Sequence, residues 1–289
     1  MNGRRELRRL VEQRQGLVVP GAYDGVSARL VARAGFPAVY MTGYGTSASR
    51  LGLPDLGFAG LAEMVENVRQ IAASVPIPLI ADADTGYGNA LQVRRTVQAY
   101  EAAGVAALHL EDQVWPKRCG HLAGKQVIPT DDMAQKIRAA VEARQDPDLL
   151  IIARTDALTL NGFDDAIRRA EVYAKAGADV LFVEAPTTVG EIEAIPKALD
   201  RPCLFNYAPG GRSPLLPLSR LRALGYGVII LPVQTLFAAT RAMAHYLHAL
   251  TTTDDPATLD DQLMLFAKFN ELIGVTELLA LADRYEPRP

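Results

Sequence analysis

Along the chain, short apolar runs alternate with longer stretches whose apolar positions recur every three or four residues. Four runs stand alone at 17–20, 78–81, 149–153 and 202–205. Four more close a recurring phrase: Arg33-Ala-Gly-Phe-Pro-Ala-Val-Tyr-Met41, Ala102-Ala-Gly-Val-Ala-Ala-Leu-His-Leu110, Lys175-Ala-Gly-Ala-Asp-Val-Leu-Phe-Val183 and Ala223-Leu-Gly-Tyr-Gly-Val-Ile-Ile-Leu231. In each, a helix end meets a glycine that can take the left-handed conformation ending a helix. The run that follows is apolar on both faces, as parallel strands covered by helices must be.

The 3.6-residue periodicity predicts helices over 26–34, 61–73, 90–102, 132–143, 164–176, 189–199, 215–224 and 236–250. Eight strands alternating with eight helices predict an α/β fold, a (β/α)8 TIM-type barrel, over residues 1–250. A doubly wound open sheet is the alternative, but no Gly-x-Gly-x-x-Gly follows the first strand, and Gly43 and Gly45 lack that spacing. After a polar break at 251–256, a further helical pattern at 259–281 exceeds what a barrel needs. Residues 251–289 therefore read as a C-terminal helical arm, packed on the barrel or embracing a neighbouring subunit.

Composition narrows the function without naming it. A net charge of −3 over 289 residues offers no basic stripe for nucleic acid. The arginine-rich, amphipathic residues 1–14 have no apolar signal core and no run approaches a membrane span, so no membrane is expected. Two cysteines, Cys119 and Cys203, are too few for a disulfide framework and fit a reducing cytoplasm. Cys203, between Pro202 and Leu204, reads as core.

In a barrel of this kind the chemistry sits where strands end and loops begin. There the chain places Tyr40, Thr42, Gly43 and Tyr44; Asp82 and Asp84; His109 and Glu111; Arg154 and Asp156; Glu184; and Asn206 with Tyr207. Alternation along a strand puts Asp82 and Asp84 on one face and His109 beside Glu111. Three carboxylates in one space, Asp82, Asp84 and Glu111, call for a cation, and an all-oxygen set suits Mg²⁺ or Mn²⁺. Helix caps and rim ion pairs are the competing roles, and they suit Asp112 and Asp156 better than Asp82. Arg154, leaving an apolar strand, needs an anion: a substrate carboxylate, or Glu184. His109 reads equally as an acid or base and as a hydrogen-bonded inner wall. The segment from Glu111 to Thr130 is long for a barrel loop and reads as a lid, with a second mobile element at 43–57 containing Asp55. Cys119 stands on the lid among Lys117, Arg118 and His121, a setting that lowers a thiol's pKa.

Lys117-Arg-Cys-Gly-His121, preceded by Asp82-Ala-Asp-Thr-Gly-Tyr-Gly88, resembles the isocitrate lyase and phosphoenolpyruvate mutase superfamily, over about 17–243. The resemblance implies a Mg²⁺-dependent barrel, commonly a homotetramer with exchanged C-terminal helices, acting on a small 2-hydroxy or 2-oxo carboxylic acid. It matches Asp82 and Asp84 to the metal, with Glu111 in the same shell, and Thr42, Gly43 and Tyr44 to the segment gripping the 2-oxo or 2-hydroxy acid end. Asp55, Gly120, His121, Arg154, Glu184 and Asn206 fall with the substrate pocket, Tyr40 matches a proposed base, and Cys119 matches the acid of the lyase branch. That thiol implies carbon-carbon cleavage. Where methylisocitrate lyases carry a second glycine, a threonine and two arginines, this chain has Tyr44, Ala208, Phe237 and Phe269. The expected substrate is then a substituted malate of the 2,3-dimethylmalate or alkylmalate type. The alternatives are 2-methylisocitrate, and then phosphonomutase or oxaloacetate-hydrolase chemistry.

Overall fold

Each apolar run becomes a strand, and all eight pair in parallel and in sequence order into a closed barrel. They are β1 (Leu17–Ala22), β2 (Val39–Met41), β3 (Leu79–Asp82), β4 (Ala107–Glu111), β5 (Leu150–Thr155), β6 (Val180–Val183), β7 (Cys203–Asn206) and β8 (Val228–Leu231). The computed structural model describes residues 3–285, and closure comes from β8 pairing with β1, Val18 opposite Ile229. The helices in chain order are α1 (Gly3–Glu12), α2 (Gly25–Arg33), α3 (Gly43–Thr46), α4 (Leu61–Ser74), α5 (Ala90–Ala103), α6 (Thr130–Ala143), α7 (Leu158–Asn161), α8 (Phe163–Lys175), α9 (Val189–Ala198), α10 (Leu218–Ala223), α11 (Gln234–Leu250), α12 (Phe266–Ile273) and α13 (Val275–Ala282).

Strand pleating sorts the core into two layers. Val19, Ile80, Ile152, Phe182 and Ile230 fill the barrel's interior, while Met41, Ala81, Leu108, Ile151 and Ile229 pack outward with helix residues such as Met64, Tyr100 and Ile137. Helix α1 buries Leu7 and Val11 in the inner layer, and Nε of Arg4 donates to Val105 O at 2.9 Å, just before β4. One end of the barrel is thus plugged by the N-terminal helix, which leaves the strands' C-terminal end for chemistry.

The chain divides into two compact units, Met1–Gln234 and Thr235–Pro289. In the second, the pattern at 259–281 is not one helix. A 3₁₀ turn at Pro256–Gln262 precedes α12, and Gly274 at φ 84° separates α12 from α13, because a left-handed residue cannot continue a helix. Helix α11 buries no side chain, and Leu265, Phe266, Leu278 and Leu279 stand exposed. The predicted helix at 215–224 also begins late, at Leu218, with Pro217 as its cap residue. Among the described residues no helix is long and apolar enough to cross a membrane.

Candidate active site

The residues expected at the strand ends converge on one rim. Asp82 ends β3 with its carboxylate tied on both oxygens: Asp84 N donates to Oδ1 at 2.9 Å and Gly43 N to Oδ2 at 3.2 Å. Gly43 has to be glycine, since a β-carbon there would lie 2.4 Å from Asp82 Oδ2. Burial raises the Asp82 carboxyl, but His109, Lys117, Arg154 and the Asp84 amide outweigh it and hold the group below its ordinary value. Thr42, buried beside it, caps the short helix α3 by accepting from Gly45 N. Tyr44 follows, half-buried.

Asp84 and Glu111 have the opposite balance. Burial pushes Asp84 up to about 7 despite the Lys117 ammonium 2.7 Å away, helped by the nearby charges of Asp82 and Asp55. It lifts Glu111 well above the carboxylate range despite Arg154, whose Nε stands 3.3 Å from Oε2. Glu111 Oε1 is buried with no hydrogen-bond partner. Such uncompensated, hard oxygen donors fit a divalent cation. Among the described residues no three His, Cys, Asp or Glu side chains form a ready-made cage.

Below this layer, the Tyr40 hydroxyl lies 2.7 Å from His109 Nε2, with the two rings stacked and Phe182 edge-on to the imidazole. Burial lowers the His109 pKa and raises that of Tyr40 well above its ordinary value. Both shifts favour the uncharged form, against the pull of Asp82, whose Oδ1 lies 3.5 Å from His109 Nε2. A neutral pair sealed in the wall suits His109 as inner wall, and it opposes the phenolate that a Tyr40 base would need.

Arg154 emerges from β5 already surrounded. Its Nε and Nη2 donate to Asp156 at 2.8 and 3.1 Å, and its Nη1 faces Glu184 at 3.2 Å. Glu184, directly after β6, also accepts from Asn206 Nδ2 at 3.2 Å, while Asn206 Oδ1 is buried without a partner. Asp112, expected as a cap or ion-pair residue, is an ion-pair residue: it faces Arg169 Nη1 at 3.2 Å and also accepts from Thr155 Oγ1, Asp156 N and Tyr173 OH. Of the two roles expected for Asp156, the structure shows the ion pair: it is the main partner of Arg154.

The long loop after β4 lies closed over these groups. Its base is zipped by Val114 N to Gln126 O and Ile128 N to Asp112 O, both 2.8 Å. Its tip turns inward: Lys117 is 3% exposed and bridges Asp84 and Asp55, and Cys119 N donates to Asp55 O at 3.1 Å. A β-carbon on Gly120 would lie 2.4 Å from Arg154 Nη2, so this glycine seats against the clamp. His121 Nδ1 accepts from Arg212 N at 3.0 Å, which leaves its Nε2 toward Glu184 and Asn206 at 3.5 and 3.4 Å. The stretch 43–57 forms α3 followed by a π-helical turn at Ser47–Leu51, with Asp55 buried.

One expectation reverses. Lys117 is taken up by two carboxylates, so it does little for the thiol. Burial, with the Asp55 charge adding to it, pushes Cys119 up to about 11 against the lowering effects of the His121 amide and Lys117. The side chain is a held proton, suited to an acid and unsuited to a resting nucleophile. Sequence reasoning placed Lys117 only as a neighbour of Cys119 and passed over Lys125 and the Arg154 partnership of Asp156. Its signal for Lys117 was present, since the residue opens the pentapeptide.

Residues 7–251 match the family model described as phosphoenolpyruvate phosphomutase, and the chain belongs to that family of barrel enzymes. It is 44% identical to 2,3-dimethylmalate lyase of Eubacterium barkeri over 285 residues, 99% of either chain. Among solved structures it is similar to oxaloacetate acetylhydrolase in complex with 3,3-difluorooxalacetate, at TM-score 0.93 and 40% identity over 98% of this chain and 96% of that one. It is also similar to a phosphonopyruvate hydrolase complex with oxalate and Mg²⁺, at TM-score 0.90 and 31% identity over 99% of each.

Proposed function

We propose that the protein is a Mg²⁺-dependent carbon-carbon lyase that cleaves a substituted malate of the 2,3-dimethylmalate type to pyruvate and a simple carboxylic acid. The observation that carries this reading is the loop folded over the strand ends, on which Cys119 precedes a glycine that seats against Arg154 and Glu184; the burial that keeps the thiol protonated agrees with an acid there. The likeness to 2,3-dimethylmalate lyase at 44% identity supports it.

Asp82, Asp84 and Glu111 would hold the cation, which when bound would draw electrons from the substrate's oxygens and offset the negative charge of the cluster. Arg154 and Asn206 orient the acid, and Arg154 pairs with a carboxylate of the substrate. The hydroxyl proton of C2 passes to a base as the C2–C3 bond breaks. The hydroxyl oxygen becomes the carbonyl of the 2-oxo acid, and the bonding electron pair stays on C3, conjugated with its carboxylate. The Cys119 thiol gives its proton to C3, which completes the second acid. The closed loop excludes water from the carbanion while the proton is delivered.

The resemblance favours a small substrate. Tyr44 and Ala208 stand where it implies that a tricarboxylate enzyme carries a second glycine and a threonine, and a third carboxylate buried without partners costs several kcal/mol. The exposed apolar residues of the second unit, Leu265, Phe266, Leu278 and Leu279, support self-association through the C-terminal helices. The test is pyruvate formation from 2,3-dimethylmalate by chelator-treated protein. Mg²⁺ should restore it, and turnover unaffected by chelation would remove the metal from the account.

A further inference from the structure

The loop that carries Cys119 also carries Lys125, and no step above uses that side chain. Residues 122–124 and 126 around it are exposed, yet the Lys125 side chain is only 1% exposed. An ammonium drawn off a surface loop into the protein is costly unless both charge and hydrogen bonds are met. Two acceptors meet them. Nζ donates to Gly120 O at 2.5 Å, within the loop, and to Asp156 Oδ1 at 2.8 Å, on the barrel.

Asp156 is a fixed acceptor. Its backbone N donates to Asp112 Oδ1 at 2.9 Å, and Asp112 is itself held by Thr155, Tyr173 and Arg169. The same carboxylate takes Nε and Nη2 of Arg154. One aspartate is therefore shared between a guanidinium from the barrel and an ammonium from the loop. The charge around the clamp depends on that sharing. With Lys125 seated, Asp156 faces two cations; with the loop lifted it faces Arg154 alone. An anion approaching Arg154 then meets one more uncompensated negative charge.

We infer that Lys125 is a positioning residue that latches the loop to Asp156, so that the seat of Gly120 and Cys119 and the anion affinity of Arg154 are set together. A carboxylate at Arg154 and a closed loop favour one another, and by linkage each must strengthen the other by the same factor. The coupling to substrate rests on the lyase reading; the latch rests on the contacts alone.

The full-length protein and its Lys125→Met and Lys125→Arg variants decide it, by two readouts. The first is the rate of iodoacetamide alkylation at Cys119, resolved by peptide mass spectrometry without substrate. Lys125→Met should react about tenfold faster than wild type, the scale of one charge-assisted hydrogen bond, and Lys125→Arg should recover most of the protection. The second is steady-state cleavage of 2,3-dimethylmalate with Mg²⁺, where Lys125→Met should raise KM about tenfold and Lys125→Arg should return it toward wild type. Equal ligand-free alkylation rates for wild type and Lys125→Met overturn the latch. Faster alkylation with an unchanged KM overturns its coupling to Arg154. Should wild type turn over no substrate, the lyase reading and the coupling fall with it, while the alkylation rates still decide the latch.

Discussion

A single methyl group added at Gly120 tests whether the loop works by closing on the clamp. The new β-carbon would lie 2.4 Å from Nη2 of Arg154 and 2.6 and 2.8 Å from Cγ and Cδ of Glu184. Neither neighbour has slack. Arg154 is fixed by Asp156 at 2.8 and 3.1 Å and by Glu184 at 3.2 Å, and Glu184 is 1% exposed. Forced overpacking costs about 1–3 kcal/mol, and here it falls on the closed arrangement only, because an open loop carries the methyl away. At about 1.36 kcal/mol per decade this is a roughly 5- to 150-fold loss of the closed form. In Gly120→Ala, kcat/KM for pyruvate release should fall within that range, while the thermal midpoint moves by less than about 2 °C because the barrel is untouched. Activity within about twofold of wild type would refute the reasoning, since such a factor is under 0.5 kcal/mol.

The remaining predictions concern the thiol and its supports. Cys119→Ser should lower kcat by roughly 10²–10⁴, the range for a positioned acid, and unchanged turnover would remove it from that role. Because the thiol is raised to about 11, its acid form is complete at neutral pH and is lost only as pH climbs through that value; alkylation of Cys119 should follow the same midpoint, and a midpoint below 8 would contradict the burial argument. Lys117→Met leaves Asp55 and Asp84 facing each other without their shared cation. Breaking a buried pair of this kind costs about 3–5 kcal/mol, so kcat/KM should drop by more than about 100-fold. Retained activity would show that the loop does not need that bridge to close.

The barrel was legible because its period is simple. The glycine before each of β2, β4, β6 and β8 ended a helix, and the run after it had no polar face, which only a strand covered on both sides tolerates. The rim followed from the fold: Asp82, Glu111, Arg154 and Asn206 lie at strand ends, Asp84 and Glu184 just beyond them, and the strand ends of one barrel face must meet. The loop residues were harder, because loop geometry is set by tertiary contacts that spacing does not encode. Lys117 looked like an activator of Cys119 and instead spans Asp55 and Asp84, sixty-two and thirty-three positions away. The thiol's pKa went the other way for the same reason: charge counted along the sequence was spent elsewhere, and burial decided. In the second unit, Gly274 read as part of a helical stretch, since periodicity continues across a left-handed break.

The central claim is cleavage of a small substituted malate, and the most direct measurement is kcat/KM with Mg²⁺ for 2,3-dimethylmalate, 2-methylisocitrate and oxaloacetate, scoring pyruvate from the first two and oxalate from the third. The account predicts that 2,3-dimethylmalate leads by at least about tenfold, which corresponds to roughly 1.4 kcal/mol of discrimination. A lead for 2-methylisocitrate would contradict it, because a third carboxylate would then have found partners where Tyr44 and Ala208 offer none in their side chains' charge.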